Sequence, residues 1–413
     1  LGTNFFLLKE VFFISRRIRE EFQMSNKKSY EEINQKIKEG KAVIVSADEV
    51  LDIIAEKGIT EAAKYVDVVT TATFGPMCST GAFLNFGHAD PPIRMTSVTL
   101  NDVPAYAGLA AVDAYIGATE TSITKGIHYG GAHVICDLID RKEVRLQASS
   151  PGTDCYPRKN IDTCITLDDI NEAYLYNPRN AYQNYSAAIN TSDQPLHTYM
   201  GILKSNMGNV HYCTSGQLSP LINDPYYRTI GIGTKIFLAG AQGFVSWMGT
   251  QFCSGRSRRE NGLPDAPGGT LAVSGDLRSM STEFIQPAVF EDYGISMFVG
   301  IGVPIPILDA EMMSNVSITD RDIFTNIEDY SVKRRDKPSL GTVSYQELRS
   351  GFVEIQGKKI PTAPITSLHK SRQIAELLKQ QIKKGDFEIT KPVAQFPLNN
   401  TLNNLEIKRK EEV

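Results

Sequence analysis

Ala42-Val-Ile-Val-Ser-Ala-Asp-Glu-Val-Leu-Asp-Ile-Ile-Ala-Glu-Lys-Gly58 opens on a short uncharged β-branched run and continues as an amphipathic run closed by glycine. The first run, Ala42 to Ser46, reads as a strand buried on both faces, and Glu49 to Lys57 reads as a helix stopped by Gly58. A short helix over Thr60 to Tyr65 and a strand Val66-Asp-Val-Val-Thr-Thr71 follow. Upstream, Ser29 with Glu32 three positions on has the form of a capping box, so a helix starts there as well. This βα alternation predicts an α/β fold, with a mixed α+β arrangement as the alternative.

Working outward, Val144 to Ala148, Thr270 to Val273 and Ile295 to Val299 read as further strands, several lacking polar alternation and therefore belonging to a buried sheet. Ser371 to Lys384 carries Ile374, Leu377, Leu378 and Ile382 at helical spacing and is stopped by Gly385. Gly and Pro punctuate the middle of the chain, and neither an internal repeat nor a linker divides it. We therefore expect one compact catalytic unit over residues 24–396 with Gly/Pro-rich active-site loops. Residues 397–413 form a polar tail expected to fray. Residues 1–23 are apolar, but Arg16 and Arg17 follow the apolar run instead of preceding it, which is not the order of a secretion signal. They are expected to be an upstream leader, with the natural start at Met24.

Of the 413 residues 41% are apolar, as in an ordinary globular protein, and the net charge of -4 offers no electrostatic footprint for nucleic acid or an anionic membrane. With no secretion signal, the expected location is the cytoplasm, so the sequons at Asn184, Asn190, Asn315 and Asn399 read as chance matches. The six cysteines, at 78, 136, 155, 164, 213 and 253, include no CxxC, which argues against a zinc ribbon or an in-chain iron–sulfur cluster. A bound metal is not expected.

Two of these thiols lie where chemistry would put them. Cys78 in Phe74-Gly-Pro-Met-Cys-Ser-Thr-Gly81 and Cys155 in Ser150-Pro-Gly-Thr-Asp-Cys-Tyr-Pro-Arg-Lys159 sit in loops of small residues that expose what they carry. Reactivity also needs a stabilised thiolate: a helix starting at Cys78 is one source, and Arg158 with Lys159 is the other. His88 is the nearest proton carrier to Cys78 in sequence. An acidic small substrate calls for a guanidinium fork, and Arg179, Arg158 and Arg94 are the candidates in that order. Arg179 leads because Asn177-Pro-Arg-Asn-Ala-Tyr-Gln-Asn-Tyr185 surrounds it with amides and phenols. The run Arg228 to Gly243 lacks the third glycine of a dinucleotide fingerprint, but Gly231, Gly233 and Gly302 are candidates to line a small anion pocket.

Thr71 to Pro92, Leu100-Asn-Asp-Val-Pro-Ala-Tyr106, Tyr129-Gly-Gly-Ala-His133, Gly152 to Lys159 and Ile301-Gly-Val-Pro-Ile-Pro-Ile307, in this order, resemble the homocysteine-biosynthesis family of archaea and anaerobic bacteria. The resemblance runs from about Ser29 to Phe396. It implies transfer of sulfur to L-aspartate semialdehyde, with functional cysteines at Cys78 and Cys155 acting through a thiolate or persulfide. It also implies a ferredoxin-like iron–sulfur partner. Replacing an aldehyde oxygen by sulfur is redox-neutral, whereas reaching a thiol takes two more electrons. The sequence holds no nicotinamide or flavin fingerprint, so those electrons are expected from outside. Two other readings of the residues are an acyl- or CoA-type transferase using the Gly231–Gly233 and Gly300–Gly302 loops, and a non-catalytic sulfur carrier.

Overall fold

A computed structural model describes residues 27–406. The expected leader and the start at Met24 lie outside the described residues. Helix α1 (Tyr30–Lys38) begins at the expected cap, where the Ser29 backbone N–H donates to Glu32 at 2.7 Å and the Glu32 N–H donates to Ser29 Oγ at 3.1 Å. Strand β1 (Ile44–Ser46) leads to α2 (Val50–Tyr65), which Gly58 interrupts at φ 74°, the left-handed conformation that glycine takes without steric cost. The two helices read from the sequence are thus the two halves of one broken helix.

The next elements are β2 (Val68–Pro76), β3 (Gly81–Asn85), β4 (Asp113–Gly117), α3 (Gly131–Ile139) and β5 (Glu172–Asn180). They are followed by β6 (Lys235–Leu238), β7 (Ala241–Met248), β8 (Leu271–Asp276), β9 (Ile285–Phe290), β10 (Gly294–Pro306) and α4 (Leu368–Lys383). The strands form a ten-stranded sheet ordered β1-β2-β10-β6-β7-β8-β5-β3-β4, with β9 paired to β10 off this path. The α/β class holds, but the βα alternation produces only one parallel pair, β1 with β2, and every other pairing in this sheet is antiparallel. From β3 onward antiparallel pairings, two of them closed by short turns (β6–β7 and β9–β10), replace parallel crossover units, and local sequence patterns do not distinguish the two.

β2 and β10 form the buried spine, nearly continuous runs of interior residues. Helix α4 crosses them closely, because Gly300 and Gly302 have no side chain to hold it off: a Cβ at Gly300 would stand 2.6 Å from Ile374 Cδ1. A six-stranded sheet, whose members include Ala187–Ile189, Val210–Tyr212, Phe324–Asp329 and Lys358–Pro364, has its own core around Ile189, Val210, Ile327 and Ile360. The tail is not loose throughout: the Asn400 N–H donates to Ser254 Oγ at 3.1 Å, and the Gly255 N–H donates to Asn400 O at 2.9 Å.

Candidate active site

Where the far end of β2 meets the six-stranded sheet lies a cavity of about 310 Å³, and both Cys78 and Arg179 line it. That volume suits a ligand the size of one small amino acid. Cys78 follows β2 in a turn, not at a helix start. The Thr80 N–H and Oγ1 both donate to the Met77 carbonyl, and β3 begins immediately afterwards. The expectation of a helix dipole at this thiol is therefore corrected, since small residues here make a tight turn between strands. Beyond the last pair of the β2–β10 ladder, Pro76 with Phe298, the Met77 N–H donates to the Met297 carbonyl, which sets Cys78 opposite Ser296. Their Sγ and Oγ atoms are 3.2 Å apart.

Arg179 reaches the same cavity through a bulge in β5, whose register against β8 shifts between Asn177 and Asn180. Asn177 couples the two groups. Its Nδ2 donates to Thr80 Oγ1 at 2.6 Å, and its Oδ1 accepts from the Arg179 N–H at 2.9 Å. One buried amide thus holds the Cys78 turn and the Arg179 bulge in fixed relation, as a fully satisfied polar link does. The guanidinium donates Nε to Thr250 Oγ1 at 3.0 Å, and no described carboxylate pairs with it. It borders the cavity beside the Tyr182 phenol, where its uncompensated charge can meet an acidic ligand.

Phenols make up much of the wall. Tyr182, Tyr185, Tyr199 and Tyr293 all line the cavity, and the Tyr199 hydroxyl lies 3.1 Å from that of Tyr185 and 2.7 Å from that of Tyr330. Burial raises the ionisation of Tyr182 and Tyr185 above the ordinary phenol range, so both remain donors at neutral pH. Tyr293 is pushed up to about 12, first by desolvation and then by the neighbouring Cys78. Cys213 is a further wall residue, and burial raises its thiol as well, which keeps it neutral. Tyr182 and Tyr185 belong to the polar run singled out in the sequence, whereas Tyr293, Ser296 and Cys213 carry no local signal.

Cys155 is elsewhere on the surface. It sits at the exposed tip of the hairpin joining strands Val144–Ser149 and Asn160–Ile165, in a turn closed by reciprocal backbone hydrogen bonds between Thr153 and Tyr156. His88 is not at Cys78. It lies past the opposite end of β3, a strand about 14 Å long at ~3.4 Å per residue, and its ring stacks on Tyr156 of the Cys155 hairpin with centroids 6.1 Å apart. Proximity in sequence misleads here because an extended strand separates the two residues. Arg158 is turned away from its own thiol: Nε donates to the Pro91 carbonyl at 2.9 Å and Nη2 to that of Asp90. Arg94 is exposed on the neighbouring 91–96 segment, outside the cavity lining.

Arg158 therefore pins the hairpin. Arg158→Lys, which cannot reproduce the fork, is expected to speed amide hydrogen exchange at Thr153 and Tyr156 by roughly tenfold or more. Exchange at the wild-type rate would reject this role.

Gly231 and Gly233 do not line an anion pocket. Ile232 between them exchanges backbone hydrogen bonds with Val393 and Ala394, and a Cβ on Gly231 would stand 2.5 Å from the Ala394 carbonyl. The chain itself fills that loop, as α4 fills the space over Gly300 and Gly302, which removes the ground for a transferase built on these loops. Among the described residues, no helix is long and apolar enough to cross a membrane.

The pattern of the family described as "Homocysteine biosynthesis enzyme, sulfur-incorporation" matches residues 42–389. The chain is 51% identical over 369 residues, covering 89% of it and 72% of the relative, to the L-aspartate semialdehyde sulfurtransferase of Methanosarcina acetivorans. It is 48% identical over 381 residues, with the same coverages, to the protein of that name from Methanocaldococcus jannaschii. An uncharacterized protein of Methanothermobacter thermautotrophicus is 31% identical over 333 residues, covering 78% of this chain and 72% of that one. No solved structure matches the chain significantly.

Proposed function

The chain belongs to the sulfur-incorporating homocysteine biosynthesis enzymes, and from that premise we propose that it transfers sulfur to L-aspartate semialdehyde in the cavity between Cys78 and Arg179. The observation that carries this reading is the pairing, through Asn177, of one accessible thiol with one guanidinium that no described carboxylate neutralises, in a space sized for an amino acid. The substrate has a carboxylate at one end and an aldehyde at the other. Arg179 takes the carboxylate as a charge-assisted fork, and the aldehyde carbon meets the sulfur at Cys78. Cys155, exposed on its hairpin outside the cavity, receives sulfur from the donor as a persulfide, and its two-electron reduction releases sulfide that enters the cavity at Cys78.

The overall balance with sulfide is aldehyde plus hydrogen sulfide plus two electrons and two protons, giving thiol plus water. Sulfur delivered as a persulfide requires two further electrons. An external donor supplies them, and a low-potential, ferredoxin-like iron–sulfur protein suits that task.

Purified protein given sulfide and L-aspartate semialdehyde is expected to form homocysteine in quantity only when a reductant is added, with a low-potential ferredoxin able to replace the chemical reductant. Sustained turnover with sulfide and no reductant would overturn the electron assignment. Absence of homocysteine under every condition would overturn the substrate assignment.

A further inference from the structure

L-Aspartate semialdehyde carries an α-ammonium beside its carboxylate, yet no Asp or Glu is among the residues lining the cavity. The wall supplies tyrosines instead. Two of them belong to the segment that follows Arg179, where Ala181 at φ 49° and Asn184 at φ 60° both take the left-handed conformation. The amides of this segment turn inward. Gln183 Nε2 donates to the carbonyls of Leu221 and Pro225, each at 2.9 Å, and Asn184 Nδ2 donates to those of Pro264 at 3.0 Å and Phe324 at 2.9 Å. With Gln183 and Asn184 anchored in the interior, Tyr182 and Tyr185 line the cavity, their rings edge to face with centroids 4.8 Å apart. One short stretch of chain thus brings a guanidinium and two phenols to the same space.

The Tyr199 hydroxyl, from the turn between strands Leu196–Thr198 and Gly201–Leu203, bridges that of Tyr185 at 3.1 Å and that of Tyr330 at 2.7 Å. Each phenol offers one proton and two acceptor positions. The two contacts consume two of the three protons and two of the six acceptor positions, and no other hydrogen bond among the described residues reaches these oxygens. One proton and four acceptor positions remain. Such a wall suits a group that only donates, and an ammonium has three donors and no acceptor, whereas a carboxylate or an aldehyde oxygen has the opposite need. The negative faces of the aromatic rings favour a cation as well.

We propose that Tyr185 and Tyr199 form a subsite for the α-ammonium of the substrate, making the cavity selective for a 2-amino acid over its deaminated counterpart. This rests on the sulfurtransferase reading above. Arg179 takes one substituent of the α-carbon, the two phenols take the other, and the aldehyde arm extends to Cys78. The bound zwitterion brings its own counter-charge on the same carbon. What its ammonium requires on leaving water is therefore hydrogen-bond acceptors, not a protein carboxylate.

The test is isothermal titration calorimetry with two unreactive ligands that differ only in the amino group, L-homoserine and 4-hydroxybutyrate, on wild type, Tyr185→Phe and Tyr199→Phe. Wild type is expected to bind L-homoserine at least about tenfold more tightly than 4-hydroxybutyrate, the size of effect that hydrogen bonds to a charged group produce. Each variant is expected to reduce that ratio to about threefold or less by weakening L-homoserine alone. Unchanged affinity for 4-hydroxybutyrate then shows that the cavity is intact. Equal binding of the two ligands by wild type, no binding of either, or an equal loss for both ligands in the variants would overturn the subsite. Homocysteine formation from L-aspartate semialdehyde is measured on the same wild-type protein. Selectivity for L-homoserine without homocysteine formation sinks the sulfurtransferase reading and leaves the ammonium subsite standing, and homocysteine formation without that selectivity does the reverse.

Discussion

Cys78→Ser is expected to lower homocysteine formation by at least about a thousandfold while leaving the circular dichroism spectrum unchanged, because a hydroxyl can neither act as the nucleophile at neutral pH nor carry sulfur. Cys155→Ser is expected to lose activity comparably. Exposed at its hairpin tip, Cys155 is reachable by a protein or small-molecule donor, whereas the thiol in the cavity is reachable mainly by substrate. The informative control is Cys213→Ser. Cys213 shares the cavity wall with Cys78, yet burial keeps its thiol protonated, and its replacement is expected to cost much less than either of the other two. Cys136, pushed up to about 12 by burial, together with Cys164 and Cys253, falls in the same minor class. Activity measured in all six serine variants tests the assignment. Near-normal rates in both Cys78→Ser and Cys155→Ser, or a Cys213→Ser defect as large as theirs, would reject it.

Arg179→Lys is expected to raise the KM for L-aspartate semialdehyde at least tenfold, since a charge-assisted bidentate pair is replaced by a point charge on a flexible stem. Arg158→Lys and Arg94→Lys are expected to leave KM close to wild type. Arg158 spends its donors on the carbonyls of Asp90 and Pro91, and Arg94 stands outside the cavity. The sequence alone ranks the three by context, whereas the structure separates them by what each guanidinium already holds. The penalty at Arg179 should disappear for an analogue lacking the carboxylate, for which wild type and variant should bind alike. A KM increase that persists with that analogue would show Arg179 to be structural, and a normal KM for Arg179→Lys would return the carboxylate to backbone donors.

Local chemistry made much of this protein legible before any coordinates. Ser29 and Glu32 mark the first helix because a capping box is complete within four residues, and Gly58 breaks α2 because its conformation is a property of glycine itself. The exposure of Cys155 and the Asn177 amide beside Arg179 likewise follow from residues within a few positions of each. What the sequence could not decide is how distant segments meet. The antiparallel course of the large sheet, the Asn177 link between the Cys78 turn and the Arg179 bulge, and the arrival of Ser296 at a thiol more than two hundred positions away all depend on strand pairing, which depends on register and long-range burial. The same cause misplaced His88 and the glycines at 231 and 233. Ten positions along a chain that turns into an extended strand become distance, and a flexible glycine loop becomes packing once the chain's own 392–394 segment occupies it.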